Sequence, residues 1–318
     1  MSPPNKEGGN QNVDVIIKTF IAGGMAGCFA KTSVAPLDRV KILLQAHNQH
    51  YKHLGVLSAL RRVTWKEGVA GLYRGNGVQM LRIFPYGAIQ FMAYEQYKEI
   101  IKSLNDHHPH LTKLCAGSLA GLTAIFFTYP LDVVRARIAF QVKGDQLYLG
   151  LVDAVKTMVY VEGGIKSLFR GIVPSMLGMA PYAGLSFYSF ETLKSLCLEH
   201  FPDWLGKPCS KNTGGLVLIL PAKLVCGGVA GAIAQGMAYP LDVVRRRIQL
   251  SDMLPESHKY SGSWLRTLVL VYQEDGVSRG LYRGMSINFI RAMPMVAVSF
   301  SIYEMSKQMF GLDTGVDR

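Results

Sequence analysis

Apolar stretches of about twenty residues or more alternate with shorter charged ones along this 318-residue chain, in a pattern that repeats three times. The apolar runs cover roughly 15–44, 78–101, 111–140, 174–198, 221–250 and 286–310. Runs of that length cross the hydrocarbon core of a bilayer as helices. Six spans are therefore predicted, and an even number places both termini on one side. Between the two spans of each pair lies a segment with a one-sided apolar pattern, at 56–67, 151–162 and 264–274, which predicts a short amphipathic helix on the membrane surface. The chain thus reads as an all-α membrane protein, with six transmembrane helices in three pseudo-symmetric repeats and short amphipathic helices on one side. Its expected parts are a tail at 1–14, repeats at 15–109 and 110–205, a linker at 206–219, and a third repeat with a C-terminal tail at 220–318.

The first span of each pair ends on the same six-residue theme: Pro36-Leu37-Asp38-Arg39-Val40-Lys41, Pro130-Leu131-Asp132-Val133-Val134-Arg135 and Pro240-Leu241-Asp242-Val243-Val244-Arg245. Such self-similarity marks a triplication. Proline bends a helix, and an acid and a base three residues apart share a face. Ionisable groups at membrane depth are costly and turn toward a polar interior. Three such helices around one axis predict a ring of pairs: Asp38 with Arg135, Asp132 with Arg245, and Asp242 with Lys41. The second spans carry a matching set at their far ends, namely Glu95 and Lys98, Glu191 and Lys194, and Glu304 and Lys307. The same logic predicts a second ring, Glu95 with Lys194, Glu191 with Lys307, and Glu304 with Lys98. Two rings at opposite ends of a cavity describe two gates, and gates that open in turn give alternating access. Gly23 and Gly27, Gly117 and Gly121, and Gly227 and Gly231 predict close helix packing. Tyr73-Arg74-Gly75, Phe169-Arg170-Gly171 and Tyr282-Arg283-Gly284 stand before the second spans, where free backbone N–H groups favour an anion such as a lipid phosphate.

Composition narrows the partners. The formal net charge is +12, and all of it falls in the three connectors, 39–75, 133–170 and 243–283. A basic face spread over three membrane-flanked connectors, with no recognisable nucleic-acid module, fits anionic lipid or anionic solutes rather than nucleic acid. The five cysteines show no CxxC or metal-ligand spacing, so neither a metal site nor a disulfide framework is implied. No Ser/His/Asp set, HExxH or P-loop occurs, so no catalytic residue or cofactor is expected and an enzyme is the weakest reading. The first twelve residues lack the apolar core of a signal peptide and the arginine-rich pattern of a transit peptide.

The three Pro-x-Asp-x-x-Lys/Arg motifs, the aromatic-Arg-Gly triplets and the three aromatic-Glu-x-x-Lys motifs together resemble the mitochondrial carrier family, over residues 15–310. The resemblance implies six tilted helices about a pseudo-three-fold axis in the mitochondrial inner membrane. The hexapeptide ring would be the matrix gate, the second ring the cytoplasmic gate, and both termini would face the intermembrane space. It further implies a monomer, with cardiolipin as the lipid at Arg74, Gly75, Arg170, Gly171, Arg283 and Gly284. In the family a glutamine nine residues after the proline braces the matrix ring. Gln45 and Gln249 hold that place but Ala139 does not, so two braces are expected. Repeats 2 and 3 also carry one extra residue between the connector glycine (Gly163, Gly276) and its aromatic partner.

Cargo should be read where the repeats differ. Eight residues beyond Arg74, Arg170 and Arg283 stand Arg82, Gly178 and Arg291. An unpaired arginine at that depth is hard to explain as packing, and a guanidinium binds phosphate in bidentate fashion. Lys31, whose counterparts are Ile125 and Gln235, adds a third asymmetric cation. Gly178 and Met179 offer a flat apolar slot, with Tyr182 one turn on. Within the family, glycine followed by an aliphatic residue at this place resembles adenine-recognising carriers. The expected cargo is coenzyme A or a related adenine nucleotide. ADP/ATP exchange is a weaker reading, because the chain has Arg245-Arg246-Arg247-Ile248-Gln249-Leu250 where the dedicated exchangers carry Arg-Arg-Arg-Met-Met-Met. A non-transport role, as a proton leak or scaffold, is the alternative of a different class.

Overall fold

A computed structural model of the chain describes residues 7–46, 48, 50–51, 53–104, 109–144, 146–208, 216–253 and 255–311. The ends of both expected tails and the middle of the linker lie outside these. Three repeats of long helix, surface helix and long helix follow one another: α1 (Glu7–Gln45), α2 (Val56–Glu67), α3 (Asn76–Leu104); α4 (Pro109–Phe140), α5 (Leu151–Tyr160), α6 (Ile172–His200); then α8 (Leu220–Gln249), α9 (Trp264–Gly276), α10 (Met285–Met309). The one-turn α7 (Pro202–Leu205) and two short antiparallel strands, β1 (Gly206–Pro208) and β2 (Leu216–Leu218), join α6 to α8. The linker is therefore partly structured. At the other end α1 starts ahead of the apolar run, inside the expected tail, and an Asp14–Lys18 pair at 2.6 Å supports that extension.

Among the described residues, four segments are both long and apolar enough to span a membrane: Asp14–Gln45, Thr112–Phe140, Ala222–Gln249 and Trp264–Met309. Helices α3 and α6 match them in length, with 29 residues each, but Tyr, Ser, Gly and Pro dilute their apolar runs. All six long helices run continuously through a proline: Pro36, Pro85, Pro130, Pro181, Pro240 and Pro294. The second set, Pro85, Pro181 and Pro294, is a three-fold register that the sequence reading passed over.

Helix α3 packs most extensively on α4, α6 on α8, and α10 back on α1, so each repeat closes on the next and the three form a ring. The buried apolar cluster, including Val40, Leu43, Tyr129, Val133 and Met158, lies at the hexapeptide end. Large apolar side chains such as Phe127, Met237 and Met293 are exposed on the spans, as a lipid-facing surface requires. The glycine pairs contribute less to packing than expected. Gly27 and Gly121 lie against Ile83 and Met179, whereas nothing lies within 4 Å of where a Cβ would sit on Gly23, Gly117, Gly227 or Gly231.

The triplet glycines have a different reason. Gly75, Gly171 and Gly284 adopt φ of 82°, 79° and 82°, the left-handed region that admits glycine most readily. A Cβ on Gly75 or Gly171 would also stand 3.0 or 3.1 Å from the carbonyl oxygen of Arg135 or Arg245 in the next repeat. The extra connector residue is absorbed differently in each case. In repeat 3 it makes a π-helical turn in which Tyr282 N donates to Val277 O at 3.1 Å. In repeat 2 two successive glycines, Gly163 and Gly164, take positive φ.

Candidate functional site

Just beyond the prolines of α1, α4 and α8 the acid–base ring closes. Arg135 Nη2 lies 2.8 Å from Asp38 Oδ2 and Lys41 Nζ 2.7 Å from Asp242 Oδ2, while Arg245 bonds Asp132. Each pair joins two repeats. Gln249 Nε2 donates to Asp132 Oδ2 at 3.1 Å and to the Tyr129 hydroxyl at 3.0 Å. Gln45 Nε2 reaches the Tyr239 hydroxyl at 2.9 Å and Asp242 Oδ2 at 3.4 Å. Ala139 leaves the Asp38–Arg135 pair without such a bridge.

Arg82 and Arg291 do not stand unpaired, which corrects the reading of the sequence. Arg82 Nη1 is 2.8 Å from Asp132 Oδ1, and Arg291 Nη1 is 2.5 Å from Asp38 Oδ1. Two of the three ring carboxylates thus bind a ring base with one oxygen and an arginine of a second span with the other. The physical reason is helix placement: α3 leans on α4 and α10 on α1, which brings each arginine above the acid of the neighbouring helix. Asp242 has no such partner, because Gly178 occupies the equivalent place on α6. Lys31 pairs with no carboxylate among the described residues; its Nζ lies 3.5 Å from Met295 Sδ.

These groups line a central cavity of about 260 Å³. Seven bases (Lys31, Lys41, Arg82, Arg135, Arg245, Arg246, Arg291) face three acids (Asp38, Asp132, Asp242), a net charge of plus four. Beside it, and sharing Ile125, Gln235, Asp242 and Arg245 with it, is a second cavity of about 200 Å³ that brings together Gly178, Met179 and Tyr182.

The opposite end is arranged differently. Glu95 Oε2 lies 3.4 Å from Lys98 and Glu191 Oε2 3.1 Å from Lys194, each pair within one helix, with side chains a third to a half exposed. Glu304 is exposed, and Lys307 Nζ lies over the Tyr303 ring at 5.5 Å. The cross-helix pairs Glu95–Lys194 and Glu191–Lys307, and with them Glu304–Lys98, are not formed. While the hexapeptide ring is drawn together, Glu95 and Glu191 at the far end each take the base one turn along their own helix.

The triplet arginines are engaged as well. Arg74 Nη1 lies 3.4 Å from Gln141 O and 3.6 Å from Glu67 Oε2, and Arg170 pairs with Asp252. Arg283 lines a cavity of about 850 Å³ with Tyr282, Gly284, Arg279, His53 and Gly55, between the third triplet and the start of α2.

The sequence reading missed a third layer. Arg39, Arg137 and Arg247, all nearly inaccessible to solvent, donate through Nε to the carbonyl oxygens of Ala139 (3.1 Å), Gln249 (3.1 Å) and Gln45 (3.2 Å). Each also pairs with an acid of its own connector: Arg39 with Glu67 at 2.8 Å, Arg137 with Glu162, and Arg247 with Asp275 at 2.6 Å. Tyr51, Tyr148 and Tyr260 donate to Glu67, Glu162 and Glu274, and burial pushes all three phenols above their usual range, which keeps them donors. A three-fold signal was present but displaced: Arg137 and Arg247 stand seven residues after their prolines, and Arg39 three after its own.

The family described as Mitochondrial carrier protein matches the chain three times, at residues 13–105, 106–201 and 218–314. Solute carrier family 25 member 16 of Homo sapiens is 57% identical over 297 residues, covering 93% of this chain and 89% of its own. Mitochondrial carrier protein CoAc1 of Zea mays is 41% identical, covering 94% and 88%. The mitochondrial coenzyme A transporter of Xenopus tropicalis is 39% identical, covering 94% and 87%. Three charged helix repeats closed into a ring, together with these matches over nearly the whole length, establish that the chain belongs to the mitochondrial carrier family, whose members are multi-pass transporters of the inner membrane and not enzymes.

Proposed function

We propose that this carrier moves coenzyme A, or a closely related adenine nucleotide, by alternating access between the hexapeptide gate and the gate at the opposite end. The observation that carries the proposal is the pairing of a strongly cationic cavity with an apolar slot. A net charge of plus four suits a solute with about four negative charges, and coenzyme A has a diphosphate and a further ribose phosphate. Arg82, Arg291 and Lys31 bind the phosphates, while Gly178, Met179 and Tyr182 receive the adenine ring. The name of the Xenopus tropicalis relative supports the same cargo.

Binding also acts on the gate. A phosphate competes with Asp132 for Arg82 and with Asp38 for Arg291. Each withdrawal removes one cation from a gate carboxylate, so the cargo itself loosens the closed ring. The ring at Glu95, Lys98, Glu191, Lys194, Glu304 and Lys307 then closes across the helices. In this reading the hexapeptide gate faces the matrix, both termini face the intermembrane space, and the protein works as a monomer. A lipid phosphate such as that of cardiolipin occupies the triplets, with the 850 Å³ cavity lined by Arg283 as one seat. The carrier units run over 15–109, 110–205 and 220–318.

The test is uptake into liposomes containing the purified protein. Coenzyme A, dephospho-coenzyme A, ATP, ADP and a keto acid are offered in turn, with folding verified by circular dichroism. Saturable uptake of coenzyme A or an adenine nucleotide is expected, without uptake of the keto acid. Silence across the panel from folded protein overturns the proposal. Preference for ADP and ATP over coenzyme A overturns the choice of cargo.

A further inference from the structure

The sulfurs of Cys197 and Cys226 lie 3.7 Å apart, across the contact between α6 and α8. Both are free thiols, Cys197 half-buried and Cys226 buried. A disulfide requires the sulfurs to close to about 2.05 Å. The register of the repeats shows that this pair is peculiar to one interface. The positions equivalent to Cys197 are Ile101 and Phe310, and those equivalent to Cys226 are Ala22 and Ala116. Where the other two interfaces place apolar side chains, this one places two sulfurs. Cys197 is one turn beyond Lys194, and His200 follows at the same spacing, so it sits between two basic side chains on one helix face.

We propose that Cys197 and Cys226 form a redox site at which small-molecule disulfides staple α6 to α8. The Cys197 thiolate attacks one sulfur of the disulfide, the S–S bond breaks, and one small thiolate leaves. The Cys226 thiolate then attacks the Cys197 sulfur of the mixed disulfide and expels the second. Two protein thiols are oxidised, one small disulfide is reduced to two thiols, and the two cysteine protons pass to them. The cross-link falls one turn past Lys194 and nearly two past Glu191, and both must shift toward α3 and α10 for the open end to close. Oxidation therefore holds that end open and stops transport. The effect on transport rests on the two-gate reading; the formation of the bond does not.

The full-length protein in liposomes is treated with glutathione disulfide and then with dithiothreitol. Peptide mapping is expected to find a Cys197–Cys226 cross-link, with the loss of two hydrogens and no retained glutathione, and uptake is expected to fall to background and return on reduction. Cys226→Ala, which copies the other two interfaces, and Cys197→Ala should transport like the reduced protein and ignore the oxidant. Stable glutathionylation without the cross-link, or no reaction, overturns the site. A cross-link with unchanged uptake overturns the control of transport. A reduced protein with no uptake at all counts against the cargo reading, and the mapping still decides the site.

Discussion

At the scale of single residues, Arg82 and Arg291 combine two tasks, since each faces the cavity and each holds a gate carboxylate. Losing one charged contact to cargo is worth about 1.5–3 kcal/mol, so Arg82→Gln and Arg291→Gln should each lower uptake roughly ten- to hundredfold. The fold should survive both, because Asp132 keeps Arg245 and Arg246, and Asp38 keeps Arg135. A melting curve in detergent near that of the unaltered protein checks this half. Asp132→Asn is the opposite case. It strips the shared partner from Arg82, Arg245 and Arg246 at a site 1% exposed, and breaking such a buried set costs about 3–5 kcal/mol. Its melting curve should fall far more than that of either arginine variant. The identity of both arginines was legible in the sequence, as charges at mid-membrane depth on otherwise apolar helices. Their partners were not, because nothing in the linear pattern says that α3 leans on α4 and α10 on α1.

At the scale of the element, the connectors are where the repeats differ in detail. The surface helix at Val56–Glu67 falls where its apolar pattern placed it, because a one-sided pattern is a local property. The β1–β2 pairing was not visible, since it depends on contacts between segments rather than on periodicity within one. The glycine pairs were over-read, for small residues permit close approach without requiring it. Ala139 offers a direct experiment. Gln249 and Gln45 already run beside Gly171 and Gly284, so a glutamine at 139 fits beside Gly75 and can brace the Asp38–Arg135 pair. One added hydrogen bond is worth about 1 kcal/mol. Ala139→Gln should therefore raise the melting temperature and slow uptake by a factor of about five, because the closed gate becomes harder to open. Gly75→Ala should destabilise by about 1–2 kcal/mol from its left-handed φ alone, with the close Arg135 carbonyl adding to it. Gly77→Ala, inside α3 with nothing within 4 Å of the added Cβ, should by contrast leave the melting temperature unchanged or raise it in the same assay.

At the scale of the whole molecule, one end is drawn together and the other is not, and cargo should reverse that. With the native cysteines replaced, Glu95→Cys combined with Lys194→Cys should cross-link poorly in the empty carrier and well once coenzyme A is added. Equal yields with and without cargo would contradict the two-gate reading. The sequence wrote the acids and bases of both ends plainly, but it could not say which of them pair across helices, because a motif fixes possible partners and not their present distance. The Arg39, Arg137 and Arg247 bonds have a consequence for biogenesis. Repeat 1 grips the carbonyl of repeat 2, repeat 2 that of repeat 3, and repeat 3 that of repeat 1. The circuit has no first or last member. Until the final third of the chain is made, Arg137 lacks its acceptor and the Gln45 carbonyl its donor, so a nascent two-repeat fragment is an unfinished lock rather than a smaller carrier. The three repeats therefore act as one cooperative object whose assembly is completed only when the third repeat meets the first.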